Sequence, residues 1–256
     1  MHGLVDAHTH LDFPEFDADR GEVVARARAA GVERFAICGS DHERWDHTVA
    51  VAHQLGAVAC LGVHPWSAAG LDDAARWVDE LRARAPKVVG EIGLDALWAP
   101  DDAARDRQRR LFRDQLALAR ETDAPVVLHC VRAYPELLAW LERDGVPAAG
   151  GMVHAWSGPP DQVERALRLG LAVSFGPMVL RDRARKARGS VARVPDDRLL
   201  VETDCPNMLP PGETRGEPAH LARVVRELAA LRGQQAEHVG QVTAANASRV
   251  LRFPSA

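Results

Sequence analysis

Residues 4–10 read LVDAHTH, a short apolar run that closes on two histidines one residue apart. Seven further runs share its character: VERFAICG (32–39), AVACLGVH (57–64), KVVGEIGL (87–94), PVVLHC (125–130), GGMVHAW (150–156), LAVSFG (171–176) and RLLVETD (198–204). Each is short and rich in Val, Ile or Leu, as strands buried on both faces are. Stretches with helical periodicity separate them, among them RGEVVARARAAG (20–31), DRQRRLFRDQLALARET (106–122) and PELLAWLERDG (135–145). A last helical stretch runs from about Gln234 to Leu251. Strand–helix alternation implies a parallel sheet. Eight units, one per about 32 residues, indicate an α/β fold, a (β/α)8 TIM barrel in a single domain over residues 1–256. A doubly wound open sheet is the competing arrangement.

Composition narrows the class. Of 256 residues, 46% are hydrophobic and 27% charged, enough apolar surface for a substantial core. The net charge of -4 excludes a globally basic protein, so contact with nucleic acid has to come from a local patch. Cys38, Cys60, Cys130 and Cys205 form no CxxC pair and lie in or beside apolar runs, as buried thiols in a reducing compartment do. The N-terminus lacks a basic-then-apolar leader pattern, and no apolar run has membrane-spanning length. The expectation is a cytoplasmic protein with no membrane association; no protein partner is inferred.

Alternate strand residues share a face, so His8 and His10 point the same way from the end of the first strand, the barrel mouth where active sites sit. Two imidazoles at that spacing can share a metal ion; the plainer alternative is a turn cap and a loop residue. Other runs also close on polar groups: Glu91 in VGEIGLD, His129 in VVLHC, His154 in MVHAW and Asp204 in VETD. Burying so many polar side chains needs compensation, which one satisfied core histidine does not.

Here the sequence resembles a known family. The HxH pair, the histidines on strands 5 and 6 and the Asp on strand 8 are similar to the metal-dependent hydrolases of the amidohydrolase superfamily. DAHTHLD (6–12), GVHP (62–65), GEIGLD (90–95), QRRLFRDQLALA (108–119), HAWSG (154–158), ETDCP (202–206) and EPAHL (217–221) resemble, more closely, the TatD deoxyribonucleases. Asn246 and Arg249 echo that family's C-terminal Asn-x-x-Arg. Where many amidohydrolases bridge two metals with a carboxylated lysine, this chain has Glu91; Lys87 lies toward the barrel bottom and Lys186 follows strand 7. The resemblance implies two divalent metal ions. His8, His10 and Asp204 would hold one, His129 and His154 the other, and Glu91 would bridge them. Asp204 would take a proton from water, which makes Asp204 and Glu91 the catalytic residues. His64 and Arg132 would face the substrate phosphate. Four imidazoles favour Zn, Mn, Co or Ni over Mg, although Mg or Mn can support turnover.

The implied activity is a 3′–5′ exodeoxyribonuclease acting on nucleic acid, with DNA as the expected substrate. The alternative is a small-molecule amidohydrolase or esterase on the same metal centre, and a third reading is a binding module that kept the barrel. Some motifs depart from the family's pattern. Arg132 in HCVRA (129–133) stands one residue later than in HxRxA, RGEP (215–218) has Gly216 where Asn is usual, and Ala96-Leu97-Trp98 replaces an aromatic pair. The basic segment 181–193 reads as a solvated helix face. Trp66 and Trp156 are set to stack on a base or pack at the rim, Glu202 to support the ligands, Asp6 and Asp12 to fix loop geometry, and Asp95 to accept from the GLD turn. His42, His47, His53 and His238 read as surface groups.

Overall fold

In the computed structural model, which describes residues 1–71 and 73–254, strand and helix alternate eight times. Residues 255–256 of the expected domain lie outside the described residues. The strands are β1 (Leu4–Thr9), β2 (Val32–Gly39), β3 (Val58–Leu61), β4 (Val88–Asp95), β5 (Val126–Val131), β6 (Gly151–Val153), β7 (Ala172–Phe175) and β8 (Leu199–Val201). The helices that follow them are α1 (Arg20–Ala29), α2 (Trp45–Leu55), α3 (Ala74–Arg84), α4 (Asp102–Glu121), α5 (Tyr134–Asp144), α6 (Pro160–Arg168), α7 (Arg185–Val191) and α8 (Leu221–Arg232). A ninth, α9 (Ala236–Val250), ends the chain. The strands lie in sequence order, each parallel to the next, which bears out the TIM barrel over the open sheet. Among the described residues no helix is long and apolar enough to cross a membrane.

The seam between β1 and β8 closes at the mouth. The Asp204 amide donates to the His8 carbonyl (2.9 Å) and the His10 amide to the Cys205 carbonyl (2.9 Å). Beneath them, buried Asp6 accepts from the Thr203 amide (2.9 Å) and hydroxyl (2.5 Å). Burial pushes the Asp6 carboxyl up to about 8, although both Thr203 bonds favour its charged form.

Period-two alternation divides the apolar residues into two clusters. One fills the shell between strands and helices. The other lies inside the barrel, where Val5, Ala7, Ala36, Cys38, Val127 and Leu200 are joined by Ala247, Val250, Leu251 and Phe253 from the chain's end. The end of α9 thus plugs the bottom of the barrel. Each of its large apolar side chains contributes roughly 1.5–3 kcal/mol by leaving water.

Besides a shift near the barrel bottom, where β2 advances from Val32 to Arg34 against Leu4 to Val5, two strands break the alternation close to the mouth. From Asp6 to Thr9, β1 advances three residues while β2 advances two, from Phe35 to Ile37. From Val89 to Ile92, β4 does the same against Val126 to Leu128 of β5. Each is a one-residue bulge. With Val5, Ala7 and Val88 facing inward, strict alternation would turn His8, His10 and Glu91 outward. The extra residue turns them into the mouth. Glycine permits the close passage there. A side chain on Gly90 would sit 2.6 Å from Val127 Cβ, and one on Gly93 (φ 151°) 2.0 Å from the His129 carbonyl oxygen.

The chain's last helix is tied to the turn before β8. Asp196 accepts from Arg232 Nη2 (2.5 Å), Gln234 Nε2 (3.2 Å) and His238 Nε2 (2.8 Å). Asn246 Nδ2 donates to the carbonyls of Asp196 (2.6 Å) and Leu199 (2.9 Å), and Arg249 to that of Asp197 (2.6 Å). The Asn-x-x-Arg echo is therefore a fold anchor. The His238 bond, then Gln234 and Arg232, hold the Asp196 carboxyl at about 2 against an ordinary 3.8. A depressed folded-state pKa stabilises fully above the unfolded value and is lost as pH falls through the folded one. Wild type should therefore lose stability relative to Asp196→Asn as pH drops from about 4 to about 2, the gap between their urea midpoints closing over that window.

Candidate metal centre

Six expected residues meet at the mouth: His8 and His10 from β1, Glu91 from β4, and His129, His154 and Asp204 at or just past the ends of β5, β6 and β8. Glu91 lies at the middle, with its two oxygens facing different neighbours. Oε2 is 3.3 Å from His8 Nε2 and 3.8 Å from His10 Nε2. Oε1 is 2.6 Å from His129 Nδ1 and 2.7 Å from His154 Nε2. Asp204 Oδ1 completes the first side, 3.1 Å from His10 Nε2 and 3.7 Å from His8 Nε2. Asp204 has φ 49°, a backbone conformation uncommon outside glycine, and the hydrogen bond its amide donates to the His8 carbonyl helps hold it there.

The far sides of the rings fix their tautomers. His10 Nδ1 donates to the Cys38 carbonyl (2.7 Å), and His129 Nε2 to Asp95 Oδ2 (3.0 Å). His154 Nδ1 lies 3.4 Å from Glu202 Oε1, which also accepts from the Ala155 amide (2.6 Å). In their neutral forms the opposite nitrogens of His10 and His129 therefore carry the lone pairs that face the carboxylate oxygens. His8 Nε2 and His10 Nε2 lie only 3.2 Å apart, so ring nitrogens and carboxylate oxygens converge on one small volume. Lone pairs packed this closely need a cation between them, and neutral imidazole with carboxylate is a donor set for divalent metals. The residues present fit such ions.

The electrostatics express the same demand. Burial works to raise Glu91, but the imidazoles of His154, His64 and His8 hold it well below the carboxylate range. Burial works to lower His10, but Asp204 and then Glu91 push it up to about 9. His154 is raised against its burial by Glu91 and Glu202, and burial and the neighbouring His154 lower His8.

His64 sits deeper than a substrate contact at the rim would. Its Nε2 is 3.2 Å from Glu91 Oε1 and 3.2 Å from His129 Nδ1, a placement that would suit a ligand. Its Nδ1, however, accepts from the Trp66 amide (3.1 Å), so the proton sits on Nε2. Burial pushes its pKa down to about 4, which keeps the ring neutral. His64 is thus a neutral donor aimed at the cluster. Arg132 stays apart: it is exposed past the end of β5, has φ 54°, and makes no ion pair among the described residues.

Other expectations divide. Glu202 supports His154 as expected, and Asp95 accepts from the Leu97 amide (2.8 Å). The Asp95 contact with His129 and the Cys38 carbonyl were missed; a main-chain acceptor leaves no mark in the sequence. Trp156 is buried, its Nε1 donating to the Gly158 carbonyl and Ser190, so it packs, whereas Trp66 stays half-buried against His64. His42 is half-buried edge-on to Trp77, with ring centroids 4.1 Å apart. In the basic segment Arg188 pairs with Glu227, Arg193 with Glu164, and Arg181 caps the Leu209 carbonyl. The RGEP segment braces α1 through Arg215–Asp19 and Glu217–Arg26.

Two glutamines on the buried stripe of α4 position the β3 and β4 ends. Gln115 accepts from the Val63 amide (2.6 Å) and donates to its carbonyl (3.1 Å). Gln108 does the same for Asp95 (3.0 Å each) and also donates to the Pro65 carbonyl (3.1 Å). His64 is therefore held by its neighbours on both sides. The signal was present in QRRLFRDQLALA: two amides seven residues apart in phase with Leu111, Phe112 and Leu116. Gln108→Leu removes the Gln108 bonds of the Asp95 amide and the Pro65 carbonyl, while the Asp95 carbonyl keeps the Trp98 amide, and should cost roughly 2 kcal/mol in urea unfolding.

The TatD related DNase family profile matches residues 5–252. The 3′-5′ ssDNA/RNA exonuclease TatD of Dickeya dadantii is 37% identical, over 97% of this chain and 98% of its own. The uncharacterized metal-dependent hydrolase YabD of Bacillus subtilis is 33% identical over 98% and 99%. The crystal structure of YjjV, a TatD homolog from Escherichia coli K12, superposes with a TM-score of 0.90 at 32% identity, covering 98% of this chain and 99% of that one.

Proposed function

The chain belongs to the TatD related DNase family, and from that footing we propose that it is a two-metal phosphodiesterase that shortens single-stranded nucleic acid, DNA foremost, from a 3′ end. It is a hydrolase acting on ester bonds. The observation that carries the two-metal reading is the placement of Glu91, one carboxylate oxygen toward His8 and His10 and the other toward His129 and His154. In this reading His8, His10 and Asp204 hold one divalent ion, His129 and His154 the other, and Glu91 serves both. Such ions would activate water and stabilise charge on the entering and leaving phosphate oxygens. Asp204 takes the proton of the attacking water. The Nε2–H of His64 donates to a phosphate oxygen, in place of its bond to Glu91. Arg132, exposed on the rim, meets the backbone of incoming substrate. Four free cysteines, all buried, suit a reducing cytoplasm.

End-labelled single-stranded DNA and RNA, incubated with Mn, Mg, Zn, Co or Ni, should give a ladder that shortens from the 3′ end. No cleavage with any of these metals would overturn the nuclease reading and leave a small amide or ester as substrate. Glu91→Ala should weaken both metal sites together, read as metal bound per chain by equilibrium dialysis. Loss of one ion with the other unaffected would make Glu91 a terminal ligand.

Asp204→Asn keeps the shape of the side chain but removes its charge and its proton affinity. Single-turnover cleavage should fall by roughly 10²–10⁴-fold while metal binding at His129 and His154 survives. Full recovery at saturating metal would reassign Asp204 as a ligand without a base role.

A further inference from the structure

A cavity of about 740 Å³ opens beside the imidazole cluster, lined by Phe13, Trp66, Asp12, Ser40, Asp41 and Arg44 among others. It shares a wall with the metal centre. The Phe13 ring stacks on His10, with centroids 4.6 Å apart and planes at 28°, and the Trp66 ring lies 4.0 Å from His64. Both aromatic side chains are half-buried, so each keeps surface open.

The polar groups of the lining disfavour a phosphate. Asp12, Glu15 and Asp41 outnumber Arg44, whose Nη2 is already engaged with the Asp12 carbonyl (3.2 Å). Two buried residues have polar atoms without a partner. Asp12, 4% exposed, is held through Oδ2 by the Thr48 hydroxyl (2.6 Å), but its Oδ1 accepts nothing. Ser40, fully buried, has an unpaired hydroxyl. Unsatisfied buried polar atoms are uncommon in folded proteins, and because both residues line the cavity, a small side-chain rotation would bring Asp12 Oδ1 or the Ser40 hydroxyl to a ligand donor. The lining therefore combines aromatic faces, an anionic acceptor, a hydroxyl and an excess of negative charge. That combination matches a neutral planar ring bearing an amino group.

The geometry points to a subsite for the nucleobase of the nucleotide being released, selective for bases with an exocyclic amine (adenine, cytosine, guanine) over thymine. This rests on the nucleic-acid reading above and adds to it where the base goes and which bases are favoured. The phosphate stays at the imidazole cluster while the base enters the cavity, its face against Trp66 and its amine toward Asp12.

Nucleosides test this without a phosphate to reach the metals. Deoxyadenosine, deoxycytidine and thymidine would be titrated calorimetrically into the full-length protein, with and without added Mn. The two amino-bearing nucleosides should bind about 10-fold more tightly than thymidine. Trp66→Ala should weaken them about 10-fold, and Trp66→Phe should restore most of the loss. Asp12→Asn should erase the preference among bases, with thermal unfolding confirming that each variant is folded. Equal binding of all three nucleosides, no binding up to their solubility limit, or binding indifferent to Trp66→Ala would overturn the subsite. The two readings fail separately. Oligonucleotide cleavage without nucleoside binding removes the subsite alone, whereas nucleoside binding without cleavage by any metal form removes the nuclease and leaves the subsite standing.

Discussion

One extra residue in each of two strands decides what the barrel can do. A parallel barrel fills its interior by alternation, and in β2, β3, β5, β6 and β8 that alternation runs unbroken from the inner core into the mouth. Met152 leads to His154, Val127 to His129, and Leu200 through Glu202 to Asp204. On β1 and β4 the same rule would place His8, His10 and Glu91 among the outer helices. There two imidazoles and a carboxylate would be buried without partners, at a cost of several kcal/mol. The bulges avoid that cost and assemble the cluster in one step, because the residue that resets the register also turns the side chains inward. Gly90 and Gly93, beside the second bulge, are required because β5 passes too close for a side chain.

The cluster is held mainly from behind. Cys38, Asp95 and Glu202 each engage the far side of a ring, and two glutamines on α4 fix the backbone on either side of His64. Most of these supports are main-chain groups or come from helices outside the barrel. Ring orientation is thereby set by the same shell that stabilises the fold, so the front of the site is left for chemistry. The wall behind His10 and His64 is aromatic, and it continues into the cavity beside the centre.

The strands were legible because parallel strands buried on both faces leave short Val- and Ile-rich runs, and the ligand candidates because polar groups close those runs. Run lengths were overstated at β3, β6 and β8, where the apolar character continues past the last paired residue as the chain bends into the mouth. The bulges were not legible, since a register shift is a relation between two strands and neither sequence carries it alone. What the sequence leaves out for His64, expected to face substrate, is its contact with Glu91. Its tautomer is decided by the Trp66 amide, a contact made by the turn that follows it. Trp156 follows a mouth histidine, which leaves stacking on a base and packing both open in the sequence; the indole turns into the shell and is held by Ser190. Asp95 was assigned to its own turn, which is correct for one oxygen and misses the other.

The seam has a consequence for how the protein is made. Asp6, His8 and His10 are translated some two hundred positions before their partners Thr203, Asp204 and Cys205. The inner core beneath them is completed by Val250, Leu251 and Phe253, within the last few residues of the chain. During synthesis β1 therefore pairs along one edge only, with its other edge and the floor of the barrel open to solvent. Closure waits for translation of β8 and of the plug, because nothing translated earlier can stand in for either. The nascent protein is thus kept from assembling its histidine–carboxylate cluster until the segment that carries Asp204 has emerged.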